Sequence, residues 1–194
     1  MRLKFRTAMV GVILALGFGQ AARADGLTDA LAAGKRGDYV TELRLLKPLA
    51  DQGNAFAQYN LGVMYATGQG VPKDDVEAVK YYRLAANQGY APGQYNLGLM
   101  YYLGQGVPKD DIEAIKYFRL AANQENPAGR YYLGIMYANG QGVPKDDVEA
   151  YKWFNLEAAN GDKEAGKLRD SIAAYMTPAQ IAEAQKLSRE WKPK

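Results

Sequence analysis

The 194-residue sequence has no cysteine and no histidine. Without cysteine there is no disulfide framework, no thiolate nucleophile and no thiolate metal site. Without histidine the commonest general base and transition-metal ligand are missing. Ser-His-Asp triads, Cys-His dyads and zinc sites built on His or Cys are therefore excluded. Beyond the first 24 residues there is also no run long and apolar enough for a bilayer span of about 20 residues. A low-complexity, charge-dominated composition is missing too, because 48% of residues are apolar and 23% are charged, which places the chain among folded proteins.

The first residues read as an export leader. Arg2, Lys4 and Arg6 form a positive start, Ala8 to Phe18 an apolar run, and Ala22-Arg23-Ala24 a small-x-small cleavage pattern. Cleavage is expected after Ala24, and no cysteine follows that could carry a lipid. The expected destination is the periplasm or the outside of the cell. Removing residues 1–24 takes four basic residues from 24 and none of the 21 acids, leaving 20 against 21, a net charge of −1. Such a chain lacks the concentrated positive face that nucleic-acid binding requires, so no nucleic acid is expected as a partner.

What the sequence does have is a period. Residues 55–90, AFAQYNLGVMYATGQGVPKDDVEAVKYYRLAANQGY, match residues 91–126, APGQYNLGLMYYLGQGVPKDDIEAIKYFRLAANQEN, at 26 of 36 positions, and residues 127–162 continue in register. Residues 25–54 read as a degenerate first unit and 163–194 as a C-terminal pair of capping helices. Within a unit, Leu61, Met64 and Tyr65 recur at i, i+3, i+4, the spacing of a helix buried on one face. Gly68-Gln69-Gly70 stops it. Asp74 with Glu77 opens a second helix with a capping-box pattern, and Val76, Val79, Tyr82 and Ala86 form its apolar set. At the C-terminus, Thr177-Pro178-Ala179-Gln180 combines a cap, a first-turn proline and a third-position glutamine. Trp191 is expected to plug the end of the last repeat. A helix pair cannot bury its apolar face alone, whereas stacked pairs can.

The motif Leu61-Gly62-x-x-Tyr65-x-x-Gly68-x-Gly70-Val71-Pro72-x-Asp74, followed by Ala78 and Ala85-Ala86 and present three times, resembles the Sel-one-like repeat, a relative of the tetratricopeptide repeat. The resemblance implies an all-α, right-handed α-α superhelix of about four helical-hairpin repeats. It also implies a role in binding proteins or peptides, often as an adaptor in envelope or stress pathways. Some bacterial relatives are linked to cell-wall fragments or to host interaction. Glu125 stands where Gly89 and Gly161 stand, and Glu157 where Ala85 and Ala121 stand. Both departures fall at repeat edges.

The repeated Gly-x-Gly-Val-Pro-Lys-Asp-Asp segment lacks the G-K-[ST] of a phosphate loop and reads as a turn and cap. The acid pairs Asp74-Asp75, Asp110-Asp111 and Asp146-Asp147 lack the ligand spacing of a calcium loop, and as helix caps in a row they do not face one another across a cleft. No metal, cofactor or catalytic residue is expected. The 15 tyrosines are more suggestive. In superhelices of this kind the first helix of each pair lines the concave side. Its outward face steps through Tyr59, Val63 and Ala66, then Tyr95, Leu99 and Tyr102, then Tyr131, Ile135 and Asn139. If this face is open, it is an aromatic stripe of the kind that marks a partner site; if neighbouring first helices close on it, it is core.

Asn60, Gln94, Asn96 and Arg130 are expected to orient a bound partner. Arg130 and Tyr132 break the repeat pattern and are expected to confer specificity. The reading is of an exported monomeric adaptor with a protein or peptide partner. A peptidoglycan-binding or peptidoglycan-hydrolysing protein and a secreted host-interaction factor are the alternatives.

Overall fold

The computed structural model describes residues 26–193; the expected leader and its cleavage point after Ala24 lie outside them. The described residues form ten helices and no strand. They are α1 (26–35), α2 (Tyr39–Asp51), α3 (Ala55–Thr67), α4 (Asp75–Asn87) and α5 (Ala91–Leu103), followed by α6 (Asp111–Asn123), α7 (Pro127–Asn139), α8 (Asp147–Ala159), α9 (Lys163–Ala173) and α10 (Pro178–Glu190).

Each boundary has a local cause. Asn54, Asn126 and Asp162 cap α3, α7 and α9 with their side-chain oxygens. Tyr90, at the matching place before α5, makes no such bond and instead packs on Tyr59 and Phe56. The first helices end in the left-handed residues Gly68, Gly104 and Gly140, whose N–H groups return to Met64, Met100 and Met136. Second helices start at Asp74, Asp110 and Asp146, each accepting two backbone N–H groups at 2.9–3.1 Å. The reciprocal half of the expected box does not form there, because Glu77 and Glu113 turn to Lys80 and Lys116 at 2.9 Å. The complete box forms at Thr177 and Gln180.

Each first helix packs on its own second helix and on the second helix of the preceding unit: α3 on α4 and α2, α5 on α6 and α4, α7 on α8 and α6. Leu61, Leu97 and Leu133 lie fully buried along this path with Met64, Met100 and Met136. Burying one such side chain is worth about 1.5–3 kcal/mol, and the contribution recurs in every unit. The loops add a second joint. Gly106 is pressed so closely onto the first turn of the preceding second helix that a Cβ would lie 2.1 Å from the Asp75 carbonyl oxygen, and Gly142 repeats this against Asp111.

Second helices leave part of their surface uncovered. Val76, expected in the apolar core set, is 64% exposed, and Val40 and Ile112, one period away on either side, are 71% and 68% exposed. Position 76 faces away from both neighbouring helices, so the turn at which it stands buries Val79 and Tyr82 instead. The matching Val148 is different, because it packs against the cluster that Tyr151 forms with Met176 and Ala184 of the C-terminal segment. The helices α9 and α10 both lean on α8 rather than on each other as a hairpin. α10 runs alongside α8 in the same direction. Gln185 donates to the Tyr151 hydroxyl and Ser188 to the Lys152 carbonyl, both at 3.3 Å, and Trp191 meets Trp153 with ring centroids 5.9 Å apart.

Candidate functional site

The first helices α3, α5 and α7 differ from the second helices in exposure. Along 55–66, 91–102 and 128–138 no residue is fully exposed, so every side chain on this layer is at least half covered. Tyr59, Val63, Tyr95, Leu99, Tyr102, Tyr131 and Ile135 all fall in this half-buried state, and only Asn139, at the helix end, is exposed.

The rings lean on the second helix of their own unit. Tyr59 contacts Tyr82 and Tyr90 at 6.1 and 5.4 Å, Tyr95 contacts Phe118 at 5.9 Å, and Tyr131 contacts Phe154 at 5.9 Å. Each exposed edge is thus anchored by a buried ring beneath it. Burial, and secondarily the neighbouring Tyr132, pushes the Tyr95 hydroxyl up to about 12, and burial raises Tyr82 further. These phenols stay protonated and remain hydrogen-bond donors at neutral pH.

The seams between successive units are not equivalent. Asn96, between α3 and α5, is half-buried beside the Tyr82 hydroxyl. One unit later Tyr132 stands in its place and lies flat on Phe118 at 4.9 Å, with Tyr95 and Tyr102 at 5.9 and 5.6 Å. Tyr132 fills the second seam, so toward α7 the stripe is a packed aromatic cluster, whereas toward α3 the smaller Asn96 stands at that position.

Two of the expected orienting residues lie elsewhere. Gln94 is only 4% exposed; its side-chain NH₂ points at the Ala86 carbonyl and its oxygen accepts from Gln124 at 2.8 Å. Gln58 makes the same bridge with Ala50 and Gln88. This position satisfies the carbonyls at the end of the preceding second helix and does not face a partner. Arg130 is likewise 4% exposed. It donates to Glu157 at 3.1 Å, stacks on Trp191 at 4.4 Å and has Glu125 at 3.6 Å. Its departure from the repeat belongs with those at Glu157 and Glu125, and all three serve the end of the array. Burial raises the Glu157 carboxyl and the adjacent guanidinium offsets part of that rise. Asn60 remains half-buried on the first-helix face and spends its amide on the Phe56 carbonyl at 2.8 Å, leaving its oxygen as acceptor.

The acid pairs divide their labour: the first member caps a helix, and Asp75, Asp111 and Asp147 pair with Lys73, Lys109 and Lys145 at 3.3–3.5 Å. Among the described residues no group of three acidic side chains converges on a point that could hold a metal ion, and no helix is long and apolar enough to cross a membrane.

A residue missed by sequence reading is Glu42. It occupies the position of Ala78, Ala114 and Ala150, one period earlier, and the lone charged residue in that column was the available signal.

Stacked helix pairs joined through alternating first and second helices, with an aromatic-lined layer on one side, define a helical-repeat solenoid. The Sel1 repeat model matches residues 55–90, 91–126 and 127–162, and the chain belongs to the Sel1 repeat family. It is similar to a Sel1 repeat protein from Oxalobacter formigenes, with 31% identity and a TM-score of 0.72 over 80% of this chain and 63% of that one. It is also similar to c5321, a protective antigen of uropathogenic Escherichia coli with an SLR fold, with 25% identity and a TM-score of 0.61 over 92% of this chain and 47% of that one. The chain therefore spans less than two thirds of either protein's length. No curated protein matches it.

Proposed function

We propose that the chain is an exported binding scaffold that receives an extended peptide or a partner helix along the concave trough lined by α3, α5 and α7. The observation that supports this reading is the row of half-buried tyrosines on one helix layer, each backed by a buried ring. Their edges and hydroxyls are held in place before any partner arrives, so little ordering cost falls on the scaffold, and amphipathic rings supply both area and hydrogen bonds. Partner entry is favoured at the Asn60 and Asn96 seam, where Tyr132 does not fill the space. Sel1 repeat proteins are generally scaffolds without catalytic activity, which agrees with acids here that are committed to caps and ion pairs. Export rests on the leader read in residues 1–24.

The test is site-specific photocrosslinking. A benzoylphenylalanine is placed at Leu99 on the trough, and at Ile112 on the opposite, exposed side as control. Saturable crosslinks from position 99, competed by unlabelled chain and absent from position 112, are expected. Crosslinks from 112 alone would remove the trough as the site. N-terminal sequencing of the protein recovered outside the cytoplasm is expected to begin at Asp25.

A further inference from the structure

The mouth of the trough at its N-terminal end is a pocket of about 290 Å³ between α1, α2 and α3, and Glu42 lines it. Where later units bury an alanine methyl, this unit buries a carboxyl group. Glu42 is 9% exposed, and Gly34 makes room for it, since a Cβ there would lie 2.6 Å from the carboxylate carbon and both oxygens. Among the described residues no N–H, O–H or cationic group donates to that carboxylate. A carboxylate that is covered on most sides and reached by solvent only from the pocket gains from an opposite charge placed there.

Two neighbouring side chains add acceptors, while the Tyr39 hydroxyl, which accepts from Gln69, keeps its own O–H as a donor. The Asn60 amide is spent on the Phe56 carbonyl, and the Gln69 amide is spent on the Tyr39 hydroxyl at 3.1 Å. Both side chains therefore offer the pocket their carbonyl oxygens. Leu31 and Val63 supply apolar wall. Lys35 stands exposed at the rim and makes no ion pair with Glu42.

From these atoms we propose that the Glu42 pocket binds a primary alkylammonium group, the side chain of a lysine presented by the partner. Three oxygen acceptors meet the three donors of an ammonium, the carboxylate supplies the opposite charge, and the apolar wall takes the methylene stem. That the lysine is carried by a partner lying in the trough rests on the proposed function; the affinity of the pocket for an alkylammonium does not.

The experiment is an NMR titration of the ¹⁵N-labelled chain with N-acetyl-lysine methylamide, read at the Gly34 backbone amide and the Asn60 side-chain amide. The expected result is saturable shifts with a Kd of about 1 mM, the scale of a single-residue ligand. N-acetyl-norleucine methylamide, which keeps the stem and lacks the charge, is expected to bind at least tenfold more weakly. Glu42→Gln is expected to weaken the lysine probe at least tenfold, and Lys35→Gln to leave it unchanged or tighten it. Equal response to the norleucine probe, unaltered binding by Glu42→Gln in a chain whose spectrum shows it folded, or no saturation would overturn the site. Equal binding of N-acetyl-arginine methylamide would overturn the ammonium assignment. A positive titration alongside silent crosslinking at position 99 would leave the pocket standing and remove the trough.

Discussion

Replacing Gly106 by alanine tests how consecutive repeats are joined. Gly106 has φ +67°, and its Cβ would sit 2.1 Å from the Asp75 carbonyl oxygen and 2.4 Å from the carbonyl carbon. Two costs add. Holding alanine in the left-handed region costs roughly 1–2 kcal/mol. Relieving an overlap with backbone, which cannot rotate away as a side-chain tip can, adds about 1–3 kcal/mol, the scale of overpacking. Gly89, in the preceding unit, is the control, because its φ is +80° and nothing lies within 4 Å of its would-be Cβ. Gly89→Ala then carries the first cost alone. For a chain of this size about 1 kcal/mol moves Tm by roughly 2–4 °C. Thermal unfolding followed by far-UV circular dichroism is expected to fall by about 3–6 °C for Gly89→Ala and by about 6–15 °C for Gly106→Ala. Equal falls for the two variants would refute the argument that the loop is wedged against the helix of the preceding unit.

Three further outcomes are expected. Glu157→Ala strands Arg130 in a buried setting and should cost about 3–5 kcal/mol, whereas the double change Arg130→Gln with Glu157→Ala, which restores the residues found at Gln94 and Ala121, should recover most of it in urea unfolding. Glu125 is, among the described residues, the non-glycine residue with positive φ, at 61°, and Glu125→Gly should stabilise by about 0.5–1 kcal/mol, measured as a rise in Tm, because its 3.6 Å pairing with Arg130 is exposed on the glutamate side. The third outcome concerns pH. Burial raises the Glu42 carboxyl above its usual range, so the folded chain holds that proton more tightly than the unfolded chain. Its contribution is fully present below the unfolded value and is lost as pH rises through the folded one. Glu42→Gln should therefore gain stability relative to the parent between pH 4 and pH 7, and a gain that shrinks over that interval would contradict the burial.

Much of this architecture was legible because it is periodic. Leu61, Leu97 and Leu133 repeat at the same spacing as the glycines that end their helices and the aspartates that start the next, so helix identity and boundaries follow from residue spacing alone. Thr177 with Gln180 was equally readable, since both halves of that bond lie within one turn. The failures have one physical source: they depend on contacts between units. Val76 fits the apolar spacing of its helix, yet only the packing of neighbouring helices decides that it faces outward. Gln94 and Arg130 share a column that points at the end of the preceding helix, which no local pattern reports. Arg130, Glu157 and Trp191 are far apart in sequence and meet only because α10 returns along α8. The tyrosine stripe was legible from its spacing, but its packing into one seam needed the position of the Tyr132 ring over Phe118.

The return of α10 along α8 determines where such a chain can change in length. Tyr151 packs with Ala184 of the terminal helix and Trp153 meets Trp191, while Val79 and Ile115, at the places corresponding to Tyr151, pack with Leu97 and Met100 and with Leu133 and Met136 of the following repeat. A duplicated copy of residues 91–126 spliced beside itself would find matching surfaces above and below, and the trough would grow by one rung. Copying the final unit would bring together two surfaces fitted to a different neighbour. The molecule is thus a ruler whose graduations can be added only in the middle, with its finishing piece left untouched.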